Sequence, residues 1–481
     1  MKKSIASTVF HQRRSGAFSG IIIAALIVIT IINITGCSKN LPPKLKAGVG
    51  ETIITPRTND VPMRGYAARK STGVHDDLYA RSLVLEGGDG TSVVLMTLSL
   101  CNLNFPFEQK IRENITGQTG IPGKNIIISC THTHSGPYVE QTDEEYQAFL
   151  LERSVKSAVD AWNRRVPARI GSGSATVLGL GMNDRRMLHG GLHPDPEVGI
   201  LKIEDADGML MGVAFNFGCH PSTLDLHNLE FTEDWPYYSI TGLKEKLGGD
   251  IWAAYYQSAQ GDVKVGYTAE LSAVGADMGG LRSFWWAEYK GRMMVDPVCA
   301  ALDTITTDGD PVIRAAMQTM DFPRRNTYPV TVEEALANQK AAHAKLAEME
   351  KKADFIGRRQ LDFYRVDVFL ADQIVGGARR FANTPNPEPI TGVWQQAVLI
   401  GDAAIVTFPC EIFSEIGKTV KDRSPLDKTF VIGLAAGMGG YMPTSAEYPE
   451  GGYAVNNSPF SPESEGILVD YSVNLIRRIN Q

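Results

Sequence analysis

Apolar runs that stop abruptly at a histidine or a carboxylate constrain this chain more than any other feature. Asn125–Cys130 (NIIISC) is a short β-rich run that breaks directly into Thr131-His132-Thr133-His134-Ser135-Gly136-Pro137. In open α/β sheets the carboxyl ends of strands are where ligands and catalytic groups gather. Residues spaced by one point the same way along a strand, so His132 and His134 can face one pocket. Neutral imidazole is a common metal ligand and a common general base. For the pair alone, two hydrogen-bonded histidines capping a strand would explain the pattern as well.

Three further islands repeat the theme. Phe215-Asn216-Phe217 runs into Gly218-Cys219-His220-Pro221, and Ala403–Phe408 ends at Pro409-Cys410-Glu411. Gly439-Gly440-Tyr441 opens a glycine-rich turn that also carries Glu447-Tyr448. Two imidazoles and a carboxylate are a common protein set around catalytic zinc, leaving one position for water. The chain reads as α/β, with a mixed β-sheet core, flanking helices and a zinc site at strand ends.

The same islands carry a resemblance. With Gly48-Val49-Gly50, Pro62-Met63-Arg64-Gly65-Tyr66, Gly73-Val74-His75, Ala80-Arg81 and Gly261-Asp262-Val263, they form an ordered series from about Ala47 to Gln481. This series resembles the catalytic domain of the neutral/alkaline non-lysosomal ceramidase family. The resemblance implies zinc ligands at His132, His220, Glu411 and Tyr441, and makes His134 the residue that handles the proton of the attacking water. It implies an active-site arginine at Arg185 or Arg186, after Asn183, and an active-site tyrosine at Tyr453.

Two departures bear on the substrate. Lys264 follows Gly261-Asp262-Val263 where ceramide-cleaving members carry a serine. A hydroxyl's role cannot pass to an ammonium, which could instead pair with Asp262 or with an anionic group on a substrate. Arg186 is a second candidate for substrate binding. The larger members also carry a C-terminal β-domain, whereas this sequence stops after the tyrosine region and a closing helix.

Composition settles less. The 481 residues, 43% hydrophobic and 21% charged, are ordinary globular material, and a net charge of −7 without a basic stripe argues against nucleic-acid binding. Lys2, Lys3, Arg13 and Arg14 precede the apolar run Gly20–Ile34, which is followed by Thr35-Gly36-Cys37. This pattern predicts a bacterial lipoprotein signal peptide over 1–37, with lipidation at Cys37, and a tether over 38–46. The catalytic domain would then be 47–481, anchored in the cell envelope at the outer membrane, with a retained signal anchor as the competing outcome. Cys101, Cys130, Cys219, Cys299 and Cys410 are scattered singly and read as small buried residues.

Among the elements, Glu144–Trp162 has an amphipathic helical pattern that Asp143 can cap. Val198–Ile203 and Met211–Phe217 flank an Asp205-Ala206-Asp207-Gly208 hairpin turn. Thr331 with Glu334 makes a capping box for a helix running to about Lys352. His189 and His193 read as solvent-exposed in preference to a pocket rim, His343 as a surface residue, and the acidic loop His227, Glu230, Glu233 and Asp234 as solvated in preference to a second cation site, while His75 reads as support for the fold or pocket. The expected activity is zinc-dependent hydrolysis of an N-acyl amide, or less favourably an ester. The alternatives are a surface lipoprotein that keeps the fold to bind a small ligand, and a zinc peptidase or carbohydrate deacetylase.

Overall fold

Alternation within single strands shows why this chain builds two sheets. In Ser92–Leu98, Val93 and Leu95 join one core cluster while Val94, Met96 and Leu98 join another. A strand buried on both faces needs a layer on each side. A computed structural model describes residues 43–481 apart from 190, 353, 354, 385 and 438, and apart from the side chains of 187–189, 355, 356, 358 and 359. The expected signal peptide, Cys37 and most of the tether lie outside the described residues. Leu45 is already fully buried.

The larger sheet has eight strands: β1 (Lys46–Ile53), β2 (Tyr79–Glu86), β3 (Ser92–Leu98), β4 (Ile126–Cys130), β5 (Val166–Thr176), β6 (Glu197–Asp205), β7 (Leu210–Phe217) and β8 (Trp252–Gln257). Their order is β8-β7-β6-β5-β1-β2-β3-β4. The second sheet has four strands, β9 (Ile313–Phe322), β10 (Ile390–Ile400), β11 (Ala403–Thr407) and β12 (Lys428–Ile432), in sequential order. The sheets face each other through one shared cluster, in which Leu95, Ile127 and Ala214 meet Val398, Ile405 and Phe430. Helices α1 (Phe105–Thr119), α2 (Glu144–Asn163) and α3 (Trp235–Leu247) cover the outer face of the larger sheet. After the paired helices α4 (Val332–Lys352) and α5 (Phe355–Asn383), helix α6 (Ser464–Asn480) covers the smaller sheet. The layers run helix, sheet, sheet, helix, so the expected mixed core with flanking helices resolves into an αββα arrangement.

The local signals hold where side-chain chemistry is short-range. Asp143 Oδ1 accepts from Tyr146 N at 2.8 Å and caps α2. Thr331 and Glu334 exchange the reciprocal bonds of a capping box at the start of α4. The β6–β7 hairpin pairs in antiparallel register around Asp205–Gly208. Helix α5 was not foreseen, although it is 29 residues long.

Within these two sheets three strand pairs are parallel: β3 with β4, β7 with β8, and β11 with β12. Their carboxyl ends meet where Gly433 N donates to Gln257 O and Ser129 bridges Ala435. That junction positions the site.

Helix α2 lies unusually close to β1. A Cβ built on Gly50 would sit 2.0 Å from Ser157 O, and one on Gly48 2.0 Å from Ala161 O. Only the missing side chain permits that approach. Gly50→Ala must push the helix backbone away, and is expected to cost about 1–3 kcal/mol, as overpacking does, measured by chemical denaturation. An unchanged midpoint would show that α2 yields freely.

Candidate metal centre and cavity

His132 sits two residues beyond β4 in the left-handed region, with φ 72°. For a non-glycine residue that conformation costs about 1–3 kcal/mol and persists only when neighbours over-determine it. Here Thr131 N donates to Leu98 O and His132 N to Leu100 O, each at 2.9 Å. His220 sits three residues beyond β7, and Glu411 four beyond β11. A two-residue parallel pairing places Glu411 opposite Tyr441. Each residue thus follows the first-reached strand of a parallel pair, or the strand beside it, at the same end of the fold.

The geometry converges on one oxygen. His132 Nε2 and His220 Nε2 lie 3.1 and 3.0 Å from Glu411 Oε2. The opposite ring nitrogens face backbone carbonyls: His132 Nδ1 to Cys101 O at 2.7 Å and His220 Nδ1 to Val263 O at 3.1 Å. A carbonyl accepts only, so each Nδ1 carries the proton, and a neutral ring then aims a lone pair at the carboxylate. Two lone pairs and an anion facing one another require a positive charge between them.

The protonation balance states the same requirement. Burial opposes a charge on His132, yet Glu411 outweighs it and raises the His132 pKa to about 10. Burial and then the Lys264 ammonium push His220 down to about 3. Burial alone would raise Glu411, but His132 and the bonds to both imidazoles carry it well below the carboxylate range. A bound cation would take the place of the proton on His132. These three residues offer ligand atoms within 4.8 Å of one another, as do Cys101, His132 and His134. The N/O donor set of His132, His220 and Glu411 fits a divalent transition metal.

Around this group lies a cavity of about 320 Å³, lined by His132, His134, Glu411, Tyr441, Tyr453 and Arg64 among others. His134 Nε2 is 3.4 Å from His132 Nε2. Burial, then His132 and His220, hold His134 well below its usual pKa, so the ring is neutral. The Tyr441 hydroxyl shares the site with Glu411, and burial followed by that carboxylate raises its pKa. The Tyr453 ring stands edge-on to Tyr441 at 5.7 Å, and Phe369 of α5 stacks on it at 5.8 Å. Burial lifts Tyr453 to about 12.

Other expected residues lie differently. Neither Arg185 nor Arg186 lines the cavity; both are ion-paired with Glu447 at 2.5 Å, and Arg186 also with Glu450 at 3.0 Å. Lys264 is buried, at 3% exposure, and pairs in a short strand with Met182. It is not bonded to Asp262, whose oxygens take Ser414 N and Oγ and Asn183 Nδ2. Burial lowers its pKa, and the acids that most oppose this are Asp184 and then Glu411.

Two solvent-exposed expectations are overturned. His193 is buried: Nε2 donates to Gly218 O at 2.7 Å and Nδ1 accepts from Asp195 N at 3.0 Å. In the acidic loop, Glu233 and Asp234 are buried at 0% and 1%, because Arg81 neutralises Glu233 and Asp234 caps α3. The remaining histidines behave as expected. His227 is exposed beside Asp225, His343 is exposed beside Asp372, and His75 stacks on Phe284. The side chain of His189 lies outside the described residues. All five cysteines of the described chain are free and buried. Cys101, with Sγ 3.7 Å from His132 Nδ1, and Phe369 were not foreseen as neighbours of the site.

Fold and site together define an αββα protein with a candidate divalent-metal centre at converging strand ends. Residues 45–264 match the family described as neutral/alkaline non-lysosomal ceramidase, N-terminal. The neutral ceramidase of Pseudomonas aeruginosa is 25% identical over 235 residues, 43% of this chain and 34% of that protein. The neutral ceramidase of Drosophila melanogaster is 23% identical over 525 residues, 88% of this chain and 73% of the relative. The crystal structure of neutral ceramidase from Pseudomonas aeruginosa superposes with a TM-score of 0.70 at 18% identity, covering 91% of this chain and 75% of that one. The match spans about a third of the length of the curated Pseudomonas relative.

Proposed function

We propose that this protein is a zinc-dependent hydrolase of N-acyl amides. The observation that carries this reading is the convergence of His132 Nε2 and His220 Nε2 on a single Glu411 oxygen beside a cavity. His132, His220, Glu411 and Tyr441 would hold the ion, which when bound supplies Lewis-acid chemistry and lowers the pKa of water toward about 7. His134, neutral and half-buried, accepts the proton of the water attacking the amide carbonyl and returns it to the departing amine. Tyr453 remains protonated at neutral pH and donates to the oxyanion as it develops. Arg185 and Arg186, engaged by Glu447, brace the loop that carries Tyr453 instead of meeting the oxyanion. Relatives named as neutral ceramidases support an amide within a lipid as the substrate class. Cleavage before Cys37 and its acylation would hold the domain at the envelope.

The test is metal analysis of the purified protein, joined to a panel of N-acyl amides. One zinc per chain is expected, with turnover abolished by a chelator and restored by zinc. A protein that binds no metal and leaves every amide intact would refute the reading.

A further inference from the structure

The segment Pro62–Lys70 wraps His134, and the function above gives it no task. Arg64 N donates to Gly136 O at 3.0 Å, Tyr138 N donates to Pro62 O at 2.7 Å, and Met63 bridges Pro137. Gly65, at φ 106°, lies so close that a Cβ there would fall 2.7 Å from His134 Cβ. The Tyr66 ring meets His134 edge-on at 4.9 Å. The backbone of Arg64 is therefore fixed beside the residue proposed to move the proton.

The Arg64 side chain enters the cavity with its guanidinium 4.1 Å from the Tyr138 ring centre. Among the described residues it meets no hydrogen-bond acceptor and no carboxylate. Its neighbours differ. Arg69 donates to His134 O and Asn228 O, Arg185 and Arg186 hold Glu447, and Arg282 holds Asp225. Among the described residues Glu411 is the only acid lining the cavity, and both histidines already occupy its oxygen. A cavity with a free guanidinium fork and one engaged carboxylate is built to receive an anion. The fork geometry matches a carboxylate in two-point contact.

We propose that Arg64 is the anion-recognition residue of this cavity, and that the substrate is an N-acyl amine bearing a carboxylate on the amine side, an N-acyl amino acid. Placement beside His134 selects the amine side, since that residue delivers its proton to the departing nitrogen. Hydrolysis breaks the C–N bond, forms a C–O bond with water, and releases a fatty acid and a free amino acid. The inference rests on the hydrolase reading for its chemistry, and on the cavity alone for its recognition of the anion.

The experiment compares N-dodecanoyl-alanine with N-dodecanoyl-alaninol, which differ only in carboxylate against hydroxymethyl. Turnover is measured on zinc-loaded wild type, Arg64→Met and Arg64→Lys, and equilibrium binding of both compounds on the chelated proteins. Wild type is expected to favour the acid by roughly ten- to a hundredfold in kcat/KM, chiefly through KM, the scale of a charge-assisted hydrogen bond. Arg64→Met should bring the ratio close to one, and Arg64→Lys should keep part of it. The binding ratio on chelated protein should follow the same order. A ratio that Arg64→Met leaves unchanged, or a wild-type preference for the alaninol, overturns the inference while leaving the hydrolase intact. Binding that favours the acid through Arg64, with neither compound cleaved, removes the hydrolase and keeps the anion site. Absence of both binding and turnover overturns both.

Discussion

His134→Ala is expected to keep one metal per chain and lose about 10²–10⁴-fold in turnover, the usual contribution of a positioned general base. His132→Ala is expected to lose the metal. The two histidines are two residues apart and both buried or half-buried, yet their surroundings assign them opposite tasks. His132 has Nδ1 fixed by Cys101 O and Nε2 aimed at Glu411. His134 has a buried Nδ1 with no partner and its Nε2 3.4 Å from His132 Nε2, facing the group without touching Glu411. Removing His132 deletes one of three converging donors, whereas removing His134 leaves all three. Metal content by mass spectrometry and single-turnover kinetics on both variants decide the matter. A metal-free His134→Ala beside a loaded His132→Ala would reverse the assignment.

Arg81→Met is expected to destabilise the fold by about 3–5 kcal/mol, because it strands a buried charge. Glu233 is fully buried, and Arg81 Nη2 meets its Oε2 at 3.0 Å while Arg81 Nε meets Glu51 at 2.5 Å. Burial raises the Glu233 pKa even with Arg81 present, and the arginine is the main force against that rise. Without it, folding favours the protonated acid. A group whose folded pKa lies above its unfolded value contributes stability below the unfolded pKa and loses it as pH rises. The deficit of Arg81→Met should therefore be smallest below about pH 4.5 and grow toward neutrality. Arg81→Met combined with Glu233→Gln should recover part of the loss, since the carboxylate is gone. Urea denaturation of the three proteins across that pH range provides the check. A deficit independent of pH would mean that lost packing of the long side chain, and not the stranded charge, sets the cost.

What the sequence determined by itself was whatever depends on neighbours a few residues apart. The cap at Asp143, the capping box at Thr331 and Glu334, the β6–β7 hairpin and the strands that end at His132 and His220 all follow from local periodicity and turn chemistry. The candidate metal group was legible because His132, His220 and Glu411 lie at strand exits, whereas Tyr441 entered only through the resemblance to a family. Other features depend on partners that only long-range packing supplies. His193 and Glu233 sit in polar, loop-like sequence and read as solvated, yet Gly218 O and Arg81 make their burial affordable. The resemblance implies an active-site cation at Arg185 or Arg186, and the guanidinium of Arg185 meets Glu447, 262 residues away, which no local pattern announces. Arg64 looked like one letter of a landmark. Only the tertiary structure decided that its guanidinium meets no hydrogen-bond acceptor among the described residues and lies at the cavity, because a side chain's freedom depends on every acceptor the fold brings within reach.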